Sequence, residues 1–261
     1  MMNWTKPGLQ KSQIAVTVPN QTALLADLRA RLTARQGFSV ATLNLDHVVK
    51  LARDPAVRQA YAAQTHVSAD GKPIVWLSRL AGQGDVELVT GSDLVGPMTA
   101  VAAETDTPVA LFGATDDALK TAAEAMTVQY PGLNVVLTLA PPMGFDPDSD
   151  AAGEAIETIR QSGARLVYLA LGAPKQERFA ARAQAALPEA GFLSIGASLD
   201  FIVGTQVRAP AWVRRLALEW VWRLLSNPKR LAGRYVSCFA ILPGLVLRAL
   251  SSRRQQRVSP S

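Results

Sequence analysis

A chain of 261 residues with 49% hydrophobic content is long enough for one large α/β domain or two small ones, and too apolar for disorder over most of its length. Its net charge of +6 is an uneven average, because from Arg208 onward eleven Lys and Arg face the single acid Glu219, leaving 16 basic and 20 acidic residues before it. A body of about −4 and a tail of about +10 mark an appendage that meets a polyanion, either nucleic acid or an anionic membrane face. The lone Cys238 rules out an internal disulfide, and the first dozen residues carry no apolar core after a basic start. No secretory signal is therefore expected, and the cytoplasm is the expected compartment.

In chain order, residues 1–12 read as a flexible lead-in to an α/β core spanning 13–207. Ile14 to Val18 has the composition of a first strand, Asn20 to Leu32 has helical periodicity, and Ser39 to Leu43 reads as a second strand. Asp46 to Ala62 reads as one helix, and Lys72 to Ala81 as a turn followed by a short helix. The core divides at about residue 105. Its second part, 106–207, is regular: strand 108–112, helix 116–128, strand 133–139, helix 150–162, strand 165–171, helix 175–186, strand 191–195. Strands alternating with helices imply right-handed crossovers, hence an α/β fold with a mainly parallel, Rossmann-like sheet flanked by helices. Phe112-Gly113-Ala114-Thr115 has one glycine where the dinucleotide fingerprint needs three, so the chain gives little support to NAD binding.

Beyond Gly204 the pattern changes to a basic helical appendage over 208–250, followed by a polar tail, 251–261, expected to be disordered. Arg208, Arg214, Arg215, Arg223, Arg230 and Arg234 recur among Trp212, Trp220 and Trp222, which suits phosphate binding or a membrane-surface helix with snorkelling arginines. Tyr235 to Leu250 is apolar for only sixteen residues, with Pro243-Gly244 and Arg248 inside it. Spanning takes about twenty apolar residues, so the segment is expected to lie in the bilayer interface rather than cross it. A helix packed on the core with a solvated basic face is the plainer alternative.

Candidate chemistry concentrates at strand ends. Leu171 to Glu177 follows a strand and opens a helix. There Gly172 permits close backbone approach, Pro174 suits a first helical turn, and Lys175 and Gln176 stand beside a positive helix end, a seat for an anion such as a diphosphate. The bland reading is a plain strand-to-helix turn with solvated polar residues. Asp70-Gly71 is either a tight turn or a carboxylate at a pocket rim able to take a proton from a substrate hydroxyl. Thr42 and Asn44, just past a strand end, either hydrogen-bond a sugar or nucleobase or satisfy a turn. Asp146-Pro147-Asp148-Ser149-Asp150 has the carboxylates of a divalent-metal site, yet it precedes a helix for which Asp150 makes a good N-cap. His47 and His66 are isolated, so no metal site is indicated, and no cofactor is expected. Without a G-x-S-x-G, a serine hydrolase has no support.

Taken in order and spacing, Thr42 to Val48, Ala69-Asp70-Gly71, Gly91-Ser92-Asp93-Leu94, Gly172 to Glu177, Arg208 to Trp212 and Glu219 to Leu224 resemble the WecG/TagA/CpsF glycosyltransferase family. The resemblance runs from about residue 13 to 235. It implies a metal-independent, inverting transferase on the cytoplasmic face of the plasma membrane. Such an enzyme moves a sugar from a nucleotide donor, usually a UDP-sugar, to a polyprenyl-diphosphate-linked sugar during assembly of a bacterial surface or secreted polysaccharide. By the same resemblance the catalytic base falls on Asp70, with Thr42 and Gln176 as further active-site residues. The arginines holding the diphosphate fall among Arg214, Arg215, Arg223 and Arg230. Trp222 is a mild departure from the family pattern. The competing class is a basic-tailed protein that binds nucleic acid, where arginine-aromatic interleaving also suits stacked bases, or a non-catalytic membrane assembly partner.

Overall fold

A computed structural model describes residues 1–5, 13–199 and 228–258. Its centre is one all-parallel sheet of six strands, ordered β2-β1-β6-β5-β3-β4. The strands are β1 (Phe38–Leu43), β2 (His66–Ala69), β3 (Val109–Gly113), β4 (Val135–Leu139), β5 (Leu166–Ala170) and β6 (Gly191–Ser194). The helices are α1 (Gln21–Thr33), α2 (Leu45–Arg53), α3 (Pro55–Ala62), α4 (Lys72–Leu80), α5 (Gly91–Glu104), α6 (Asp116–Gln129), α7 (Asp150–Ser162), α8 (Lys175–Ala186) and α9 (Pro228–Val258). The Rossmann-like α/β architecture expected from the alternation of strands and helices is thus present. Because β6 sits between β1 and β5, both parts of the core share one sheet.

Three apolar cores hold the layers together. Leu24, Leu28 and Leu32, at helical spacing on α1, bury one face of the sheet with Leu94, Met98 and Leu119. Phe112, Phe145 and Phe179 meet edge-on or tilted on the opposite face, beside Ile156 and Ile159. A third cluster joins α2, α3 and α4 to Met2, Trp4, Ile14 and Val16, and takes in Leu245 and Ala249 of α9.

Several expectations are corrected. Ile14 to Val18 is not a ladder strand. Its residues Ile14, Val16 and Val18 are buried in alternation, and instead of a continuous ladder it makes scattered bonds, with Thr17 N and Val18 N donating to Val67 O at 2.9 and 3.3 Å and Trp4 N donating to Ile14 O at 2.8 Å. Met2 and Trp4 are buried rather than part of a loose lead-in. The helix expected over 46–62 is two helices, because Pro55 lacks an N–H and Asp54 turns extended to cap the second one through Ala56 N at 2.8 Å. Helix α5 carries Pro97 internally. The carbonyl of Asp93 that Pro97 cannot satisfy accepts a hydrogen bond from Gln21 Nε2 at 2.9 Å, which is how the helix tolerates it. Ser149, not Asp150, occupies the N-cap position of α7. The neighbouring Asp148 pairs with Arg178 of α8, and among the described residues no cluster of metal-ligating side chains occurs. Finally, α9 runs unbroken through Pro243 and on to Val258, into the stretch expected to be disordered.

Candidate active site

Open α/β sheets place ligands beyond the carboxyl ends of their strands, and three strand ends here gather the residues singled out in the sequence, with a fourth beside them. Thr42 and Asn44 close β1, Asp70 follows β2, Gly172 to Glu177 follow β5, and Gly196 follows β6. The register pairs Thr42 with Ser68 and Leu43 with Ala69, and Asp70 N donates to Leu43 O at 2.8 Å. Asp70-Gly71 does form the turn read as one alternative, a turn from strand to helix, and not one between paired strands, since β1 and β2 run parallel. Gly71, at φ 105°, swings the chain from β2 into α4, a backbone conformation that disfavours any other residue.

Asn44 is the N-cap of α2, and capping fixes which way its amide faces. Its Oδ1 accepts from His47 N at 3.1 Å, so Nδ2 is left to donate to Asp70 Oδ2 at 3.2 Å. Thr42 Oγ1 reaches the same carboxylate oxygen at 3.5 Å. Asn44 therefore serves Asp70 rather than standing alone at a strand end. Beneath it, His47 Nδ1 lies 2.8 Å from Thr42 O and 2.7 Å from the Tyr61 hydroxyl, which itself donates to Thr42 O at 2.7 Å. Burial pushes the His47 pKa down to about 4, so the ring is neutral. With the proton assigned to Nδ1 by this network, Nε2 accepts from Asn44 Nδ2 at 3.4 Å. Composition left His47 as an isolated histidine; its place is under the residue that orients Asp70.

The second wall is the β5–α8 turn. Gly172 sits at φ 72°, a left-handed conformation that suits glycine, and its carbonyl accepts from Gln176 N at 3.2 Å. Lys175 is exposed, whereas Gln176 and Glu177 are buried. Gln176 Oε1 accepts from Gly196 N at 3.0 Å and its Nε2 donates to Glu177 Oε1 at 2.9 Å. Lys50 of α2 ties the walls together, donating to Ala173 O at 3.1 Å while pairing with Asp46 at 2.8 Å. Burial works against the charge of Asp46, yet the Lys50 hydrogen bond and the Arg234 and Lys50 charges hold its carboxyl below the usual range. Arg234, 3.3 Å from Asp46, brings α9 into the same chain of contacts.

Thr42, Asn44 and Asp70 thus come together around one carboxylate, and Gly172, Pro174 and Gln176 build the neighbouring turn. Arg208, Arg214, Arg215 and Arg223 lie outside the described residues, as does the side chain of Arg230. Reading the sequence overlooked Glu177, Tyr61 and Lys50. Only Lys50 carried a local signal, the Asp46–Lys50 spacing of a helical ion pair. Residues 10–258 match the model of the glycosyl transferase WecG/TagA/CpsF family, a span that includes every site residue described above. The chain belongs to that family of glycosyltransferases.

Proposed function

We propose that the protein is an inverting glycosyltransferase that carries a sugar from a UDP donor to a polyprenyl-diphosphate-linked sugar, with Asp70 as general base. The observation that carries the reading is the Asp70 carboxylate at the mouth of β2, oriented by Asn44 and Thr42, in a chain of glycosyltransferase family. In a single displacement the acceptor oxygen bonds to the anomeric carbon while the bond from that carbon to the UDP oxygen breaks. The leaving diphosphate keeps the electron pair, and the acceptor proton passes to Asp70. Charge growing on the diphosphate is met by fixed donors and cations. Gln176 and Lys175 supply candidates on the β5–α8 turn, and Arg208, Arg214, Arg215, Arg223 and Arg230 supply them from the appendage.

An acceptor carried on a lipid has to be met at a bilayer, and α9 supports that placement. By length and composition Ala232–Gln255 is long and apolar enough to cross a membrane. One of its sides, however, is occupied by the protein: Leu245 and Ala249 are fully buried, and Arg248 donates to Thr5 O at 2.7 Å. The other side presents Val236, Phe239, Leu247 and Leu250 to solvent. A helix docked along one side and apolar along the other suits a position in the plane of the membrane surface, with Arg253 and Arg254 near anionic headgroups. Those exposed apolar groups also favour lipid over nucleic acid as the polyanionic partner.

The test is to incubate the protein with a panel of UDP-sugars and a polyprenyl-diphosphate-sugar acceptor, in detergent and without added metal, and to detect product by mass. Transfer of one hexose is the expected outcome, and its absence across the panel overturns the reading. In vesicle sedimentation, Phe239→Ser with Leu247→Ser is expected to weaken binding to anionic vesicles severalfold. Release of the wild-type protein by high salt or alkaline carbonate is expected for a helix in the membrane surface, and retention would make α9 a span.

A further inference from the structure

We propose that Glu177 is a positioning residue for sugar transfer, an acceptor behind the site that locks the Gln176 amide in one of its two orientations. The proposal rests on the glycosyltransferase reading above for its kinetic consequence, but not for the lock itself. Gln176 Oε1 is engaged by Gly196 N–H, which can only donate, at 3.0 Å. Its Nε2 donates to Glu177 Oε1 at 2.9 Å, and an ionised carboxylate can only accept. Rotating the amide by half a turn would set N–H against N–H and oxygen against carboxylate, so both ends choose the same orientation. That orientation joins the first turn of α8 to the end of β6 and uses one of the two Nε2 hydrogens of Gln176.

The surroundings say that Glu177 is not there for stability. Its side chain is fully buried, and Oε2 has no hydrogen-bond partner among the described residues. A buried acid with an unsatisfied oxygen costs folding free energy that an apolar residue would not. Several groups of the described residues face it. Lys50 comes from α2 and Tyr61 from α3, while Gln64 of α3 donates to the Glu177 backbone oxygen at 3.0 Å. Burial pushes the Glu177 pKa up to about 7, against the downward pull of the Gln176 hydrogen bond, of a hydrogen bond from its own backbone and of the Lys50 charge. Above that pH the carboxylate accepts only, and the lock is firm. Below it Oε1 accepts as a neutral carbonyl, a weaker acceptor than a carboxylate, and the lock loosens.

Two readouts test this. In the ligand-free protein, the side-chain amide NMR signals of Gln176, identified by their loss in Gln176→Leu, are expected to titrate with a midpoint near 7 and to stop titrating in Glu177→Gln. In transfer assays, kcat/KM of the wild type is expected to rise through the same pH. Glu177→Gln should lose that inflection while keeping activity within about fivefold, since its carbonyl still accepts. Glu177→Leu should lose about 10- to 100-fold in kcat/KM with its far-UV signal and cooperative melting retained. Gln176 signals that do not move with pH, or a folded Glu177→Leu with wild-type kcat/KM, overturn the proposal. If Glu177→Leu does not fold, an inflection near 7 that persists in Glu177→Gln does so instead. Absence of any transfer by the wild type defeats the glycosyltransferase reading, and the NMR titration then decides the lock by itself.

Discussion

The two carboxylates of the region follow different strands, β2 and β5, and differ sharply in environment. Asp70, half-buried at the end of β2, receives Asn44 Nδ2 and Thr42 Oγ1 on one oxygen. Glu177, in the first turn of α8, is fully buried, and burial raises its pKa to about 7. Two acids in one cleft take different work when their surroundings differ. The more accessible one, steadied by Asn44 and Thr42, is suited to exchange a proton with a substrate. The enclosed one is suited to hold a neighbour.

The widest way to break that division is Asp70→Asn. An amide at this position can still accept from Asn44 but cannot take up the acceptor proton, so kcat/KM is expected to fall by about 10²- to 10⁴-fold. The melting temperature should change little, because the ladder bond from residue 70 N to Leu43 O is backbone. Retention of more than a tenth of wild-type transfer would remove Asp70 from the role of base and leave the two acids undistinguished.

Thermal stability separates the pair in the opposite direction. The Glu177 carboxyl has its pKa raised from 4.5 when unfolded to about 7 when folded. The folded state therefore holds a proton that the unfolded chain has lost, and stability falls as pH rises from 4.5 to about 7, then levels off. Removing the charge with Glu177→Gln should stabilise the protein at about pH 8, by up to about 3 kcal/mol, and by nearly nothing at about pH 4. His47 acts with the opposite sign: its folded pKa of about 4 lies below the ordinary 6.5, so it withdraws stability as pH falls through that window. Comparing variant with wild type at each pH cancels the His47 contribution. Melting curves in which Glu177→Gln gains equally at both pH values would show that the buried acid is not the group being titrated.

How much of this was legible in the sequence differs from element to element. The strands and helices after residue 105 were legible, because their apolar periods are uninterrupted. Helix α5 was hidden by Gly96-Pro97, and only the Gln21 contact from a distant helix makes that proline tolerable. Strand β2 has four residues, too few to display an alternation. The side chains of Thr42, Asn44 and Asp70 were visible as candidates, and family resemblance related them. Their meeting depends on the parallel register of β1 with β2, which no local pattern encodes. Glu177 lay inside a motif already singled out, yet an acid in the first turn of a helix ordinarily reads as a solvated dipole partner. What buries it is the packing of α3 against α8, including the bond from Gln64.

The smallest effect is expected at Asn44, where one side chain does two jobs that can be separated. Asn44→Ala removes the cap on His47 N and the donor to Asp70 Oδ2 together. Loss of the cap should cost about 1 kcal/mol, or roughly 2–4 °C in melting temperature for a chain of this size. Loss of the donor should cost about tenfold in kcat/KM. Asn44→Asp divides the two, because aspartate caps a helix as well as asparagine does but offers Asp70 a like charge instead of a donor. Its melting temperature should stay within about a degree of wild type, while its kcat/KM falls at least as far as that of Asn44→Ala. Should Asn44→Asp transfer sugar as the wild type does, Asn44 would be a helix cap and nothing more, with no part in steadying Asp70.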